Sequence, residues 1–412
     1  MAHPPSVSTR AVVGAVAALV LLGACGDDSI DGSADTTAAA SPSTGASETA
    51  VGSAGIVIED QLAVARTYAD LVVAAYDASL ASVTDLQAAV HAFLADPTEE
   101  TLESARQAWI GARDDYGVTE AFRFYDGPID DAESGPEGQI NAWPLDEAYI
   151  DYVEGDPAAG IINRADEFPE VTTDVLLAAN EQGGETNIST GWHAIEFLLW
   201  GQDLSDDGPG ERPVTDYTTE ANAERRGTYL SLATDLLVAD LTSVRDQWDP
   251  ESGEYRTSFL ADPSQAIANM VRGIGALSAG ELSGERIAVA YETKDREDEH
   301  SCFSDNTNAD VAGNARGIEM VYLANFPGIE GPSLSTLVAR VDPDLDATLR
   351  EQLAATRAAI AAFPTTFEAM IAAADGTPER DALLGVLDAL DAQSKSLAAV
   401  ANRLGVSVNF EL

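Results

Sequence analysis

From Ile56 onward the chain consists largely of long Ala/Leu/Val-rich runs whose apolar residues return every three or four positions. That period constrains the fold more than any other feature. Leu62, Ala65, Ala69, Val72, Val73 and Tyr76 make one stripe, which Leu86, Val90, Phe93 and Leu94 continue beyond Ser82. Asp96-Pro97-Thr98 stops this helix and opens another, carrying Leu102, Ala105, Trp109 and Ala112. Strand-like alternation of β-branched residues is scarce. Further helices are expected at about 219–248, 264–292, 308–325, 344–374 and 378–404, the last with Leu383, Val386, Leu387, Leu390, Leu397 and Val400 on one face. The expected fold class is all-α, with two four-helix-bundle-like units over residues 56–205 and 206–412 and a boundary within 203–216. Similar helix counts in the two units point to an internal duplication, although no clean repeat is visible.

Between Tyr125 and Asn187 the pattern gives way to loops (GPIDD, SGPEG, AWPLDEAY, EGDPAAG, EQGGE). Loops of that length inside a helical protein are usually functional or docking elements. The N-terminus reads as a targeting segment. Arg10 precedes the apolar run AVVGAVAALVLLGA, which is short for a bilayer span and ends in LLGAC. This has the form of a bacterial lipobox, so residues 1–24 are expected to be a lipoprotein signal peptide and Cys25 the lipidated residue. The alternative is an ordinary signal peptide with a chance cysteine. Residues 25–55, rich in Gly, Ser, Thr and Ala, read as a disordered tether. The expected location is therefore the cell envelope, on the outer face of a bacterial membrane, with lipid on Cys25 as the anchor.

With Cys25 lipidated, Cys302 is the remaining thiol, which excludes an intrachain disulfide, and no CxxC is present. Any metal must then be held by nitrogen and oxygen. The formal net charge is −48, from 70 acidic and 22 basic residues. Such a surface repels nucleic acid. It also attracts cations in bulk, which is not the same as a metal site.

Against that background one stretch stands out, STGWHAIEFLLWGQD at 189–203, where His193 and Glu196 sit within an apolar helix. A buried ionisable pair is costly unless compensated, either by a structural hydrogen bond or by a metal ion. At a spacing of i, i+3 both side chains lie on one helix face and can converge on one ion. Gly191 lets another backbone or a ligand come close at the helix start. The second constellation, in KDREDEHSCFSDNTN, holds Glu297-x-x-His300, the same pair in reversed order. Helical metalloproteins of the di-iron type combine Glu-x-x-His pairs with single glutamates from facing helices. Its alternative is a solvated charge run. Of the four histidines, His3 falls in the signal peptide and His91 is isolated. The third candidate is Glu120, a carboxylate among Tyr116, Phe122 and Phe124. That setting raises a pKa unless a cation is near, and Arg113 or Arg123 could be that cation. HExxH, HxxEH, GxSxG, a P-loop and a Rossmann fingerprint are all absent, and Phe197 stands where HxxEH would have its second histidine.

TGWHAIEFLLWGQD, TEAFRFYDGPID, GPEGQINAWPLDEAYIDYV and REDEHSCFSDNT together resemble the imelysin family, which comprises imelysin-like metallopeptidases and iron-regulated envelope proteins. The resemblance runs from Ile56 to the C-terminus. It implies a two-bundle helical fold with the GxHxxE motif near the interface between bundles, an envelope location and a link to iron acquisition. The motif falls on Gly191, His193 and Glu196. Glu120 matches the acidic position before the aromatic pair, and His300 and Asp305 fall in the HSCFSDNT segment. Histidine usually follows SDNT in the family. Here Asn308 stands there, which argues against a ligand at that position.

The expected function is binding of iron, or of another divalent metal such as zinc, through His193, Glu196 and Glu120. Glu297, His300 and Asp305 are second-bundle contributors, and envelope iron-transport components are the expected partners. The alternatives are a metallopeptidase acting on exported peptides or proteins, with zinc at His193 and Glu196, and an interaction scaffold whose motif is only structural.

Overall fold

A computed structural model describes residues 56–205 and 208–407. The expected signal peptide, Cys25 and the expected tether to residue 55 lie outside the described residues. Among these the secondary structure is helical, with one isolated bridge between Val153 and Asp156.

The first helix, α1 (Ile58–Ala95), runs 38 residues and buries Val64, Ala65, Tyr68, Val72, Tyr76, Leu86, Val90 and Phe93 along the expected stripe. Asp96-Pro97 ends it. Thr98 then caps α2 (Glu99–Gly117) in a reciprocal arrangement: Thr101 N donates to Thr98 Oγ1 at 3.2 Å and Thr98 N to Thr101 Oγ1 at 3.0 Å. After the loop-rich middle come α3 (Gly191–Trp200) and α4 (Ala223–Gln247). Further on, α5 (Pro263–Ala276) continues into a π-helical segment, Leu277–Ala288. The remaining long helices are α6 (Thr307–Leu323), α7 (Pro343–Ala361) and α8 (Pro378–Leu404). Proline at the first position of α5, α7 and α8 presets φ where no N–H partner is needed, behind the caps Asp262, Asp342 and Thr377.

Helices α1, α2, α3 and α4 form one group and α5 to α8 a second, with α5 against α1 and α6 against α2 joining them. The described residues fall within one compact unit, and α4, which the sequence reading puts in the second bundle, packs on α1 and α3. Its buried face (Tyr229, Leu230, Ala233, Leu237, Leu241) covers the stripe that α2 leaves open on α1. A buried ion network adds to this join. Asp151 of the loop-rich middle accepts from Arg226 Nε of α4 at 2.6 Å and from Arg212 Nη1 at 2.7 Å.

Two helix expectations also change. The 344–374 helix stops before Pro364, because the proline ring disfavours helical backbone at Phe363, and resumes only as Phe367–Ala372. The 264–292 helix is continuous but widens into the π segment, which carries Gly280 and Gly284.

Candidate metal centre

Helix α3 is buried at all ten positions, Gly191 to Trp200. Trp109 of α2 fixes its first turn by donating Nε1–H to the Trp192 carbonyl at 3.2 Å. Gly191 has φ +82°, and a Cβ there would lie 2.4 Å from the Ile140 carbonyl oxygen and 2.7 Å from that of Gln139. Only glycine fits where the helix start crosses the 139–140 backbone. Thr190 Oγ1 fastens the same crossing by donating to the Gln139 carbonyl at 3.0 Å.

His193 Nδ1 lies 2.9 Å from Glu196 Oε2, within one helix turn as the i, i+3 spacing predicts. The other oxygen, Oε1, accepts from Ser304 N at 3.0 Å and from Ser304 Oγ at 2.7 Å. Both carboxylate oxygens are thus engaged, so Glu196 orients the ring rather than converging with it on one ion. His193 Nε2 is buried and has no hydrogen-bond partner. Burial, reinforced by the Arg113 guanidinium and the His300 ring, holds the His193 pKa well below its ordinary value. Burial pushes Glu196 up to about 8, aided by Asp310. One proton then lies between the two side chains near neutral pH. With the carboxyl of Glu196 donating to Nδ1, the neutral ring carries its own proton on Nε2, buried and without an acceptor, at the position a metal ion would take.

His300 sits beside this imidazole, with ring centroids 4.8 Å apart and planes at 62°. The expected helical Glu297-x-x-His300 pair does not form. Residues Arg296–Asp298 make a single 3-10 turn, and His300 follows in a turn. Without helical geometry the i, i+3 spacing no longer places both residues on one face, and Glu297 is exposed while His300 is buried. The actual partners of His300 are Asp310 Oδ2, 3.1 Å from Nδ1, and Arg113 Nη2, 3.1 Å from the same nitrogen. Burial, with Arg286 and Arg113 nearby, lowers its pKa well below the ordinary value, so both histidines are neutral. Arg113 also pairs with Asp310 at 2.9 Å and donates to Asn141 Oδ1.

Glu120 is buried and doubly paired, with Arg286 of the π segment and with Arg123 at 3.2 Å. Burial alone would raise its pKa, but the two guanidiniums outweigh that and hold it at about 2. Arg123 is one of the two cations expected from sequence, while Arg113 goes to Asp310 instead. Asp305 groups with Asp203 and Glu368. His91 bonds Asp235 at 3.2 Å near the surface, and Phe197 packs on Phe303 at 5.2 Å. Among the described residues, no group of three carboxylate, imidazole or thiolate ligand atoms includes His193.

Sequence reasoning missed Ser304, Asp310, Trp143 and Arg286. One signal was legible, since Arg113 falls on the buried stripe of α2, four residues after Trp109. A cleft of about 630 Å³ opens beside the pair, lined by His300, Trp143, Asn141, Arg286 and carboxylates that include Glu137 and Glu281. His193 lies immediately behind its wall, with its ring 4.7 Å from that of Trp143. The arrangement offers two neutral imidazoles, one with an orphaned nitrogen, at the floor of an acid-lined cleft.

Comparison with known proteins finds relatives of the chain. Iron-regulated protein A of Synechococcus elongatus is 27% identical over 339 residues, spanning 78% of this chain and 82% of the relative. A crystal structure of a candidate iron-regulated protein A precursor from Parabacteroides distasonis superposes with a TM-score of 0.66. It shares 19% identity and covers 85% of this chain and 96% of the other, a likeness of fold. The family model described as imelysin matches residues 72–397, and the chain belongs to the imelysin family.

Proposed function

We propose that the chain binds a divalent transition metal ion, iron ahead of zinc, at the His193–His300 pair. We place it as a lipid-anchored envelope protein, held to the outer face of a bacterial membrane by Cys25 and acting in iron acquisition with envelope transport components. The observation that carries the reading is the orphaned, buried Nε2 of His193. A buried ring nitrogen without a hydrogen-bond partner is costly unless a ligand takes its place there. The carboxylate behind it, Glu196, fixes tautomer and ring orientation in the manner of the second-shell carboxylates of metal-bound histidines. Imidazole donors suit iron, zinc and copper, so ligand type does not select the metal. The iron assignment leans on the name of the Synechococcus relative. The acid-lined cleft beside His300 would concentrate cations at its mouth.

The peptidase reading needs a carboxylate able to take a proton from a bound water. Glu196 is engaged by His193 and Ser304, and Glu120 by Arg286 and Arg123. That geometry favours binding over hydrolysis.

Anaerobic titration calorimetry with ferrous iron, and separately with zinc, tests the proposal near physiological salt, where diffuse surface attraction is screened. Wild type should show one saturable site and His193→Ala none. Glu196→Gln should weaken it roughly 10- to 100-fold, the usual effect of removing such an orienting group. Equal binding by wild type and His193→Ala would assign the affinity to the acidic surface and sink the reading.

A further inference from the structure

The C-terminal end of α3 opens on a cavity of about 420 Å³ that shares no lining residue with the histidine cleft. That volume is within the range of small-ligand sites. Its walls are aromatic and aliphatic: Tyr152, Val153, Trp200, Leu204, Pro209 and Pro213. Two backbone hydrogen bonds hold its shape, from Arg212 N to the Trp200 carbonyl at 2.7 Å and from Gly210 N to the Phe303 carbonyl at 2.9 Å. Leu204 is 64% exposed on one wall, although leucine gains from burial.

The polar groups around this cavity leave a donor unmet. The last four carbonyls of α3 are all engaged. Phe197 accepts from Gly201 N at 2.7 Å, Leu198 from the Tyr217 hydroxyl at 2.5 Å, Leu199 from Arg106 Nε at 3.0 Å, and Trp200 from Arg212 N. The side chain of Arg212, by contrast, is 1% exposed and its buried Nε has no hydrogen-bond partner. Gly201, a lining residue with φ +74°, leaves room beside that nitrogen, since a Cβ there would stand 3.6 Å from Nε. A buried N–H that donates to nothing is unfavourable, so the group that belongs there is an acceptor. The charge is already balanced: Arg212 and Arg226 pair with Asp151 and Asp216, two cations against two anions. Glu154 and Glu211 stand exposed on the rim. An acceptor with a full negative charge would meet repulsion from them, and an uncharged carbonyl oxygen would not.

We propose that this cavity binds an uncharged, apolar peptide segment, whose backbone carbonyl accepts from Arg212 Nε while its side chain packs against Trp200, Tyr152 and Leu204. A peptide unit beside an apolar side chain supplies both features within one residue. Recognition of extended peptides divides the work in the same way, with the main chain hydrogen-bonded and the side chains in pockets. Burying the ligand side chain against Leu204 would also cover the most exposed of the large apolar side chains among the described residues. The site needs no metal, and the proposal does not depend on what the histidine pair binds.

The test is a ligand-observed NMR titration of the full chain with N-acetyl-phenylalanine amide, and with N-acetyl-phenylalanine as its charged counterpart. Wild type should bind the amide saturably at one site and the carboxylate more weakly. Leu204→Glu changes an exposed position on which the fold does not depend, and should weaken amide binding about 10-fold, the loss of one leucine contact. Arg212→Lys keeps a cation for Asp151 and Asp216 but removes the Nε donor, and should weaken binding roughly 3- to 10-fold. Leu384→Glu, at an exposed leucine of α8 outside the cavity, should bind as wild type does. Absence of amide binding by wild type, or equal binding by wild type and Leu204→Glu, would overturn the proposal. A loss in Leu384→Glu as large as that in Leu204→Glu would assign the binding to general surface adhesion and overturn it too. Equal or tighter binding of the carboxylate would refute the uncharged acceptor, and the proposal with it.

Discussion

Replacing Glu120 by glutamine separates the two roles open to this residue, metal ligand and structural counter-ion. In the structure its carboxylate is buried between Arg286 and Arg123. A pKa held at about 2, against an ordinary 4.5, corresponds to roughly 3 kcal/mol of preference for the ionised form in the folded state. Removing the charge also leaves Arg286, among the described residues, with Glu281, at 2.9 Å, as its one anionic partner. Breaking a buried pair in this way typically costs about 3–5 kcal/mol. Glu120→Gln should therefore lose about 3–5 kcal/mol in urea unfolding at pH 7. The pH dependence has a definite sign. A depressed carboxylate contributes stability above its unfolded pKa, and that contribution disappears as pH falls from about 4.5 towards 2. Wild type should consequently lose stability faster than the variant across that acidic window, and the two curves should converge near its lower end. A variant within 1 kcal/mol of wild type at pH 7, with a parallel acid profile, would refute the ion-pair argument.

Other expectations follow from the same geometry. Gly191→Ala must move the 139–140 backbone or abandon φ +82°, so it should lower stability by roughly 3 kcal/mol or more, read as a fall in melting temperature. Glu196, raised to about 8, favours its protonated form in the folded state. Stability should therefore fall as pH rises from about 4.5 through 8, and Glu196→Gln should flatten that slope in melts between pH 6 and 9. If Cys25 carries the lipid, Cys25→Ser expressed in a bacterial host should move the protein from the membrane to the soluble fraction.

How far the site was legible varies residue by residue. Gly191, His193 and Glu196 stand on one helix, where i, i+3 spacing is a local property, and the histidine–glutamate contact follows from it. The mirrored Glu297–His300 spacing suggested the same geometry and failed, because residues 296–305 fold as turns rather than helix. His300 reaches the centre all the same, placed there by Asp310 and Arg113 across the interior. The cation on Glu120 illustrates the same limit. Arg123 is a neighbour in sequence, whereas Arg286 arrives from 166 residues away on the π segment.

By itself the sequence determined the helical class, most helix starts and the pairing on α3. These depend on apolar period, on caps such as Thr98 and on proline at first positions, all set within a few residues. Tertiary structure alone decided that α4 joins the first helical group, that Glu196 spends both oxygens on its neighbours, and that two histidines 107 positions apart stand ring against ring. The physical reason is that a buried polar atom is compensated by whatever the fold brings to it, and the identity of that partner is not encoded in the local chain.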